Sequence, residues 1–242
     1  MGLLTLWELA GRFGPWPAYL FPTPRAVAQS LFEMIRDGRL PAATARSLMR
    51  LWQGYFISVA LGIPLGMLTA RTQFFKVAVK PVVSGLQALP SICWLPLAIL
   101  WFGLSETAIL FVVVMGSLLA ISISAEDGVN QIQPQLLRQA GTLGVKGFRL
   151  YRTVLFPGAL PGIITGLKLG WSFAWRALMA GELLFVAGGL GQLLTTGREL
   201  MDVPQVMAVM VAIIIIGVIT DKVLFQSIEL KVRRRWGLLA VS

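Results

Sequence analysis

The chain has 242 residues, 56% of them hydrophobic and only 13% charged, with 21 Lys and Arg against 11 Asp and Glu. A soluble domain carries about a quarter charged residues, so this composition excludes an ordinary soluble protein. The absence of histidine and the single cysteine, Cys93, exclude a zinc-hydrolase or His-based catalytic centre, an intrachain disulfide and a thiolate metal cluster.

In chain order, "MGLLTLWELAGRFG" comes first, and its apolar stretch, residues 3–10, is too short to cross a bilayer at ~1.5 Å per residue. Glu8 interrupts it and no basic segment precedes it, which argues against a cleaved signal. The expectation is a short or truncated first transmembrane helix. Residues 23–38 read as an amphipathic helix, with Thr23 as cap, Pro24 in the first turn and Gly38 as stop. Its apolar face is Val27, Leu31, Met34 and Ile35, and packing against its own bundle accounts for that face more simply than an interfacial position.

Residues 52–70, 82–103, 107–125 and 203–220 carry no charge, and each approaches the ~20 residues a helix needs to span the hydrocarbon core. A fifth run, 160–189, contains Lys168, Arg176 and Glu182. The expected fold is therefore all-α: one polytopic domain over 1–242, with five full transmembrane helices plus the short N-terminal one. Basic residues flank the spans at 71–80, in the loop 126–156 and in the tail 225–242 with Lys231, Arg233, Arg234 and Arg235. Alternating the spans puts all three on one side, which is then cytoplasmic, and the basic surplus reports topology rather than nucleic-acid binding. Arg25, Arg36, Arg39, Arg46 and Arg50 fall on the outer side against this rule; Arg46 and Arg50 are expected to snorkel to headgroups.

The loop "RQAGTLGVKGFRLYRTVLFPGALPGI" is the polar interruption of the chain. "QPQLLRQAGTLG" reads as a short helix ended by Gly144, and "KGFRLYRTVLFP" as a second ended by Pro157. Two short helices between spans make a socket or plug for a partner. No G-x-x-x-x-G-K-[ST] pattern occurs, so any ATP hydrolysis must come from elsewhere.

This stretch resembles the cytoplasmic signature of the membrane subunits of bacterial ABC importers, E-A-A, three residues, G, then L-P. Here the positions hold Arg138, Gln139, Ala140, Gly144 and Leu160-Pro161, so the acidic position is basic. The likeness continues through "LFPTPRAVAQSL", "LPSICWLPLAILWFGLSE" and "AGELLFVAGGLGQLL", and it looks most like the nitrate, sulfonate, taurine and bicarbonate branch. The resemblance implies a type I importer permease in the bacterial cytoplasmic (inner) membrane, without an active site of its own. It implies a homodimer, two copies of an ABC ATPase carrying ATP and Mg, and a periplasmic or lipid-anchored solute-binding protein. The loop 126–160 would be the coupling loop, with those six residues in contact with the ATPase. The cargo would be a small anion moved by alternating access; the runner-up is a thiamine-precursor pyrimidine or other small heterocycle.

Charges inside a span are costly and mark candidates for function. Trp171, Trp175, Leu178 and Glu182 fall within one arc of a helix, which suits either a path lining or bundle packing. Arg176 offers a forked donor set for an oxyanion or for a neighbouring helix. In the third span, Pro90 and Pro96 remove backbone hydrogen bonds and bend the helix, with Gln87 and Ser91 as polar lining. "VAGGLGQLLTTG" is either a gate folded back into the bundle or a turn. An ion-coupled secondary transporter is the rival class; it predicts charged pairs in several spans and leaves the central loop without a purpose.

Overall fold

The computed structural model describes residues 2–15, 17, 20–184 and 188–226, and among them there is no strand. The helices are α1 (Gly2–Phe13), α2 (Pro24–Arg36), α3 (Arg39–Arg71), α4 (Lys80–Gln87), α5 (Leu95–Phe102) and α6 (Glu106–Asn130). They continue as α7 (Pro134–Thr142), α8 (Gly147–Leu150), α9 (Phe156–Leu184), α10 (Leu190–Glu199) and α11 (Val203–Thr220). Four helices are long and apolar enough to cross a membrane, or five if the bent pair described below counts as one span. The basic tail expected at 225–242 lies almost wholly outside the described residues.

The centre of the bundle is α6, held between α3 and α9. Glycines at four-residue spacing make this contact. On α3, a Cβ at Gly66 would lie 2.1 Å from the Ser122 carbonyl; on α9, one at Gly162 would lie 2.5 Å from Gly128 Cα. Small residues let backbones approach closely where lipid supplies no hydrophobic drive between helices. At these crossings the neighbouring backbone leaves no room for a side chain.

The 82–103 run is not one helix. A segment over Phe75–Gln87 and one over Ser91–Phe102 meet at 106°. Pro90 biases Leu89 away from helical geometry and leaves no N–H to continue the helix. The chain passes through extended backbone at Pro90 and restarts as a tight turn, Ser91–Trp94.

Two loop boundaries differ from the expectation. The loop expected at 126–160 is shorter, because α6 stays helical to Asn130, with Glu126 and Val129 buried. Nor does Pro157 end a helix: α8, a π turn (Tyr151–Leu155) and α9 form one continuous helix, Gly147–Leu184. The Phe156 N–H reaches back five residues to the Tyr151 carbonyl. This wider turn accommodates the following proline, whose ring and missing N–H would interrupt a regular helix. The same device precedes Pro81, where the Lys80 N–H bonds to the Phe75 carbonyl.

At the end of the bundle away from α7, α2 is capped by the Thr23 side chain and buries Val27 and Met34 against α3, α10 and α11. The amphipathic face thus packs on its own bundle. The α10 segment folds back into the bundle, with Leu190 fully buried, so "GLGQLLTTG" is more than a turn.

Candidate functional site

Three features carry polar chemistry: a buried charge cluster, a cavity-bearing face of α9, and the α7 projection.

The cluster is built on Arg50. Its Nε and Nη2 donate to the two oxygens of Glu106 at 2.5 Å, and Nη1 donates to Glu182 Oε1 at 2.9 Å. Ser47 Oγ lies 2.7 and 2.8 Å from the Glu182 oxygens and accepts from the Leu190 N–H; the Gly191 N–H donates to Glu182 at 3.0 Å. One guanidinium therefore ties α3 to the start of α6 and the end of α9, while Glu182 ties in α10. The glycines of "AGGLG" make room for this: a Cβ at Gly189 would sit 2.2 Å from Glu182 Oε1, and one at Gly191 2.5 Å from its Cβ. The expectation that Arg50 snorkels is overturned. It is 6% exposed, because two carboxylates offer a fork-matched site that headgroups would have to surpass. Part of the outer-side basic surplus is thereby neutralised internally.

The four predicted path residues on α9 divide between two of its faces. Trp171, Trp175 and Glu182 do lie on one arc, but that arc points into the protein. Trp171 is 2% exposed and packs edge-on to Tyr55 at 5.1 Å between ring centres, beside Trp52 and Phe225. Trp175 packs between this cluster and α11, and Glu182 has no exposed surface. Within one chain the arc they share meets α3 and α11. Arg176 lies on another face, exposed, its guanidinium 5.3 Å from the Phe173 ring. Among the described residues it has no carboxylate at ion-pair distance. Phe173 in turn lines a cavity of about 160 Å³ with Gln87, Ser91 and Trp94, at the break between α4 and α5. Gln87 and Ser91 thus line one cavity, which Arg176 adjoins only through its contact with Phe173. Nearer the α7 end, a larger cleft of about 500 Å³ continues between α6 and α9, lined by Asp127, Gln131, Pro161 and Thr165.

The α7 helix is anchored by buried Ala140 and by Leu137, which packs on the Ile132–Leu155–Ala159 cluster. Arg138, Gln139 and Gly144 are exposed, as are Leu136 and Leu143, the latter at 80%. Gly144 has φ +70°; its N–H bonds to the Gly141 carbonyl and the Val145 N–H to that of Ala140. That is a complete Schellman stop, which a residue with a Cβ enters only with strain. Leu160 and Pro161 lie inside α9, past the loop, and are half-buried.

Residues 62–235 match the family model of the binding-protein-dependent transport system inner membrane component. The chain belongs to that family. The permease is 29% identical over 224 residues to the taurine transport system permease of Escherichia coli (strain K12), covering 90% of this chain and 82% of that one. It is 26% identical over 219 residues, 90% of this chain and 79% of the other, to a Bacillus subtilis (strain 168) permease whose name assigns it provisionally to aliphatic sulfonates. Its fold is that of a chain from the MetNI methionine ABC transporter, with a TM-score of 0.67 at 20% identity, over 77% of this chain and 93% of that one. It is accordingly a multi-pass membrane subunit of a binding-protein-dependent ABC importer. Such a permease works with a solute-binding protein and an ATPase.

Sequence reasoning missed Ser47, Glu106 and the glycine ladders, and gave Arg50 a different role. A signal existed for the ladders: Gly54, Ser58, Gly62, Gly66 and Gly158, Gly162, Gly166, Gly170 each repeat at four. For the Arg50 cluster no local signal exists, because its members are 56 and 132 residues apart in the chain.

Proposed function

We propose that two copies of this permease form the path of an importer in a bacterial cytoplasmic membrane, driven by two ATPase subunits that hold ATP and Mg²⁺. A solute-binding protein delivers the cargo on the α10 side. The α7 side is cytoplasmic, in keeping with the basic residues at 71–80 and 138–152. There α7 is the coupling element. The observation that supports this is a nine-residue helix seated on the bundle by Ala140 and Leu137, with Leu136, Arg138, Gln139 and Leu143 turned outward. Exposed leucines on a short rigid helix suit insertion into a groove of a partner.

ATPase activity copurifying with the tagged permease from native membranes tests this reading. A Gly144→Trp variant removes the left-handed stop and places bulk beside Leu143. It is expected to copurify at equal expression with at least tenfold less substrate-stimulated hydrolysis. Absence of any ATPase from the well-folded wild type, even after crosslinking, would overturn the reading.

The cargo is a small anion of the sulfonate, taurine, nitrate or bicarbonate type. Arg176 supports this: an exposed guanidinium without a carboxylate partner among the described residues, on the cavity-bearing face of α9. A single charge-assisted contact is consistent with weak, passing recognition. Arg176→Leu is expected to lower uptake of radiolabelled taurine, nitrate or bicarbonate about tenfold, with ATPase assembly unchanged. Unaltered uptake at normal expression would remove Arg176 from the path.

A further inference from the structure

A further apolar recess is not used by the transport reading. It is a groove of about 650 Å³ between α3, at Ile63, Pro64 and Leu68, and the α8 end of the long helix, at Phe148, Arg152 and Phe156. It lies between two of the helices that are long and apolar enough to cross a membrane. Its wall continues into a stripe of exposed apolar side chains on α3, Phe56, Ile57 and Leu61. Nothing in that stripe would favour water over hydrocarbon.

The rim is of another kind. Arg152 lines the groove itself; Arg149 is one turn before it, and Arg71 lies one turn beyond Leu68. All three are exposed. No acidic residue occurs in the sequence between Asp127 and Glu182, and among the described residues none of the three arginines is in an ion pair. An apolar slot between two spanning helices, with guanidinium groups at one end of it, matches one chemistry. We propose that this groove binds an anionic phospholipid, with an acyl chain along Pro64 and Phe156 and the phosphate held by Arg152 and Arg149. A second copy of the chain is a poor occupant. Groove-to-groove contact about a two-fold axis would set these arginines against their own like charges. The inference needs only that the chain spans a membrane, so it stands apart from the anion and coupling readings.

The test is native mass spectrometry of the permease purified with its ATPase, delipidated and then exposed to equimolar phosphatidylglycerol and phosphatidylcholine in mixed micelles. The wild type is expected to retain phosphatidylglycerol preferentially. Arg152→Gln, an exposed change that leaves the fold intact, lowers the ratio of the two lipids about fivefold. Leu68→Trp fills the groove and lowers retention of both. Equal retention by the wild type, or a ratio unmoved in Arg152→Gln, overturns the proposal. So does efficient crosslinking of a Leu68→Cys variant to a second copy, which would make the groove a subunit contact.

Discussion

An Arg50→Leu protein is expected to lose most of its stability, melting about 10 °C or more below wild type in detergent and accumulating poorly. The cause is what remains. Glu182 is fully buried, and Arg50 is its one cationic partner among the described contacts. Removing one member of a buried pair leaves a charge without compensation and costs about 3–5 kcal/mol, which at about 2–4 °C per kcal/mol for a chain of this size is a shift of about 6–20 °C. Glu106 adds little to the loss, because its side chain is 62% exposed and water can solvate it. The second variant isolates the mechanism. Glu182→Gln keeps an acceptor for the Ser47 hydroxyl and the Gly191 N–H but carries no charge, so Arg50→Leu with Glu182→Gln is expected to recover more than half of the lost melting temperature. A double variant as unstable as Arg50→Leu alone would show that packing of the guanidinium, not its charge, holds the three helices.

The other large effect belongs to a glycine. Gly162→Leu should abolish the folded protein rather than weaken it. A Cβ at this position would lie 2.5 Å from Gly128 Cα and 3.1 Å from the Ser124 carbonyl, and both obstacles are backbone. No rotamer relieves such a contact, so α9 has to move off α6, and with it Ile163, Gly166 and Gly170 leave their seats. Overpacking costs about 1–3 kcal/mol where side chains can yield; here the loss exceeds that. Gly85→Leu is the control, because nothing lies within 4 Å of a Cβ there and a leucine is a better helix former than glycine. Size-exclusion profiles and thermal melts of the two purified variants distinguish them. A monodisperse Gly162→Leu protein with unchanged melting temperature would mean that the α6–α9 crossing is looser than described.

The sequence on its own determined that the chain is helical and membrane-spanning, because long charge-free runs have few other solutions and residues 203–220 became α11 without adjustment. It also located the α7 helix and its stop, since Pro134 and Gly144 act on the backbone within a few residues of themselves. Local chemistry is legible where its cause is local. What only the tertiary structure decided is which way each helix face turns. Trp171 and Glu182 share an arc in any α-helix, but whether that arc lines a path or meets α3 depends on which neighbour occupies it. Arg50 and Glu182, 132 residues apart, become a pair only when α3 and α9 pack around α6. Pro157 was expected to end a helix, and the long helix runs through it instead. A proline removes one backbone donor, and whether that stops a helix or widens one turn depends on the packing that rewards its continuation: Leu155 and Ala159, on either side of it, are both fully buried.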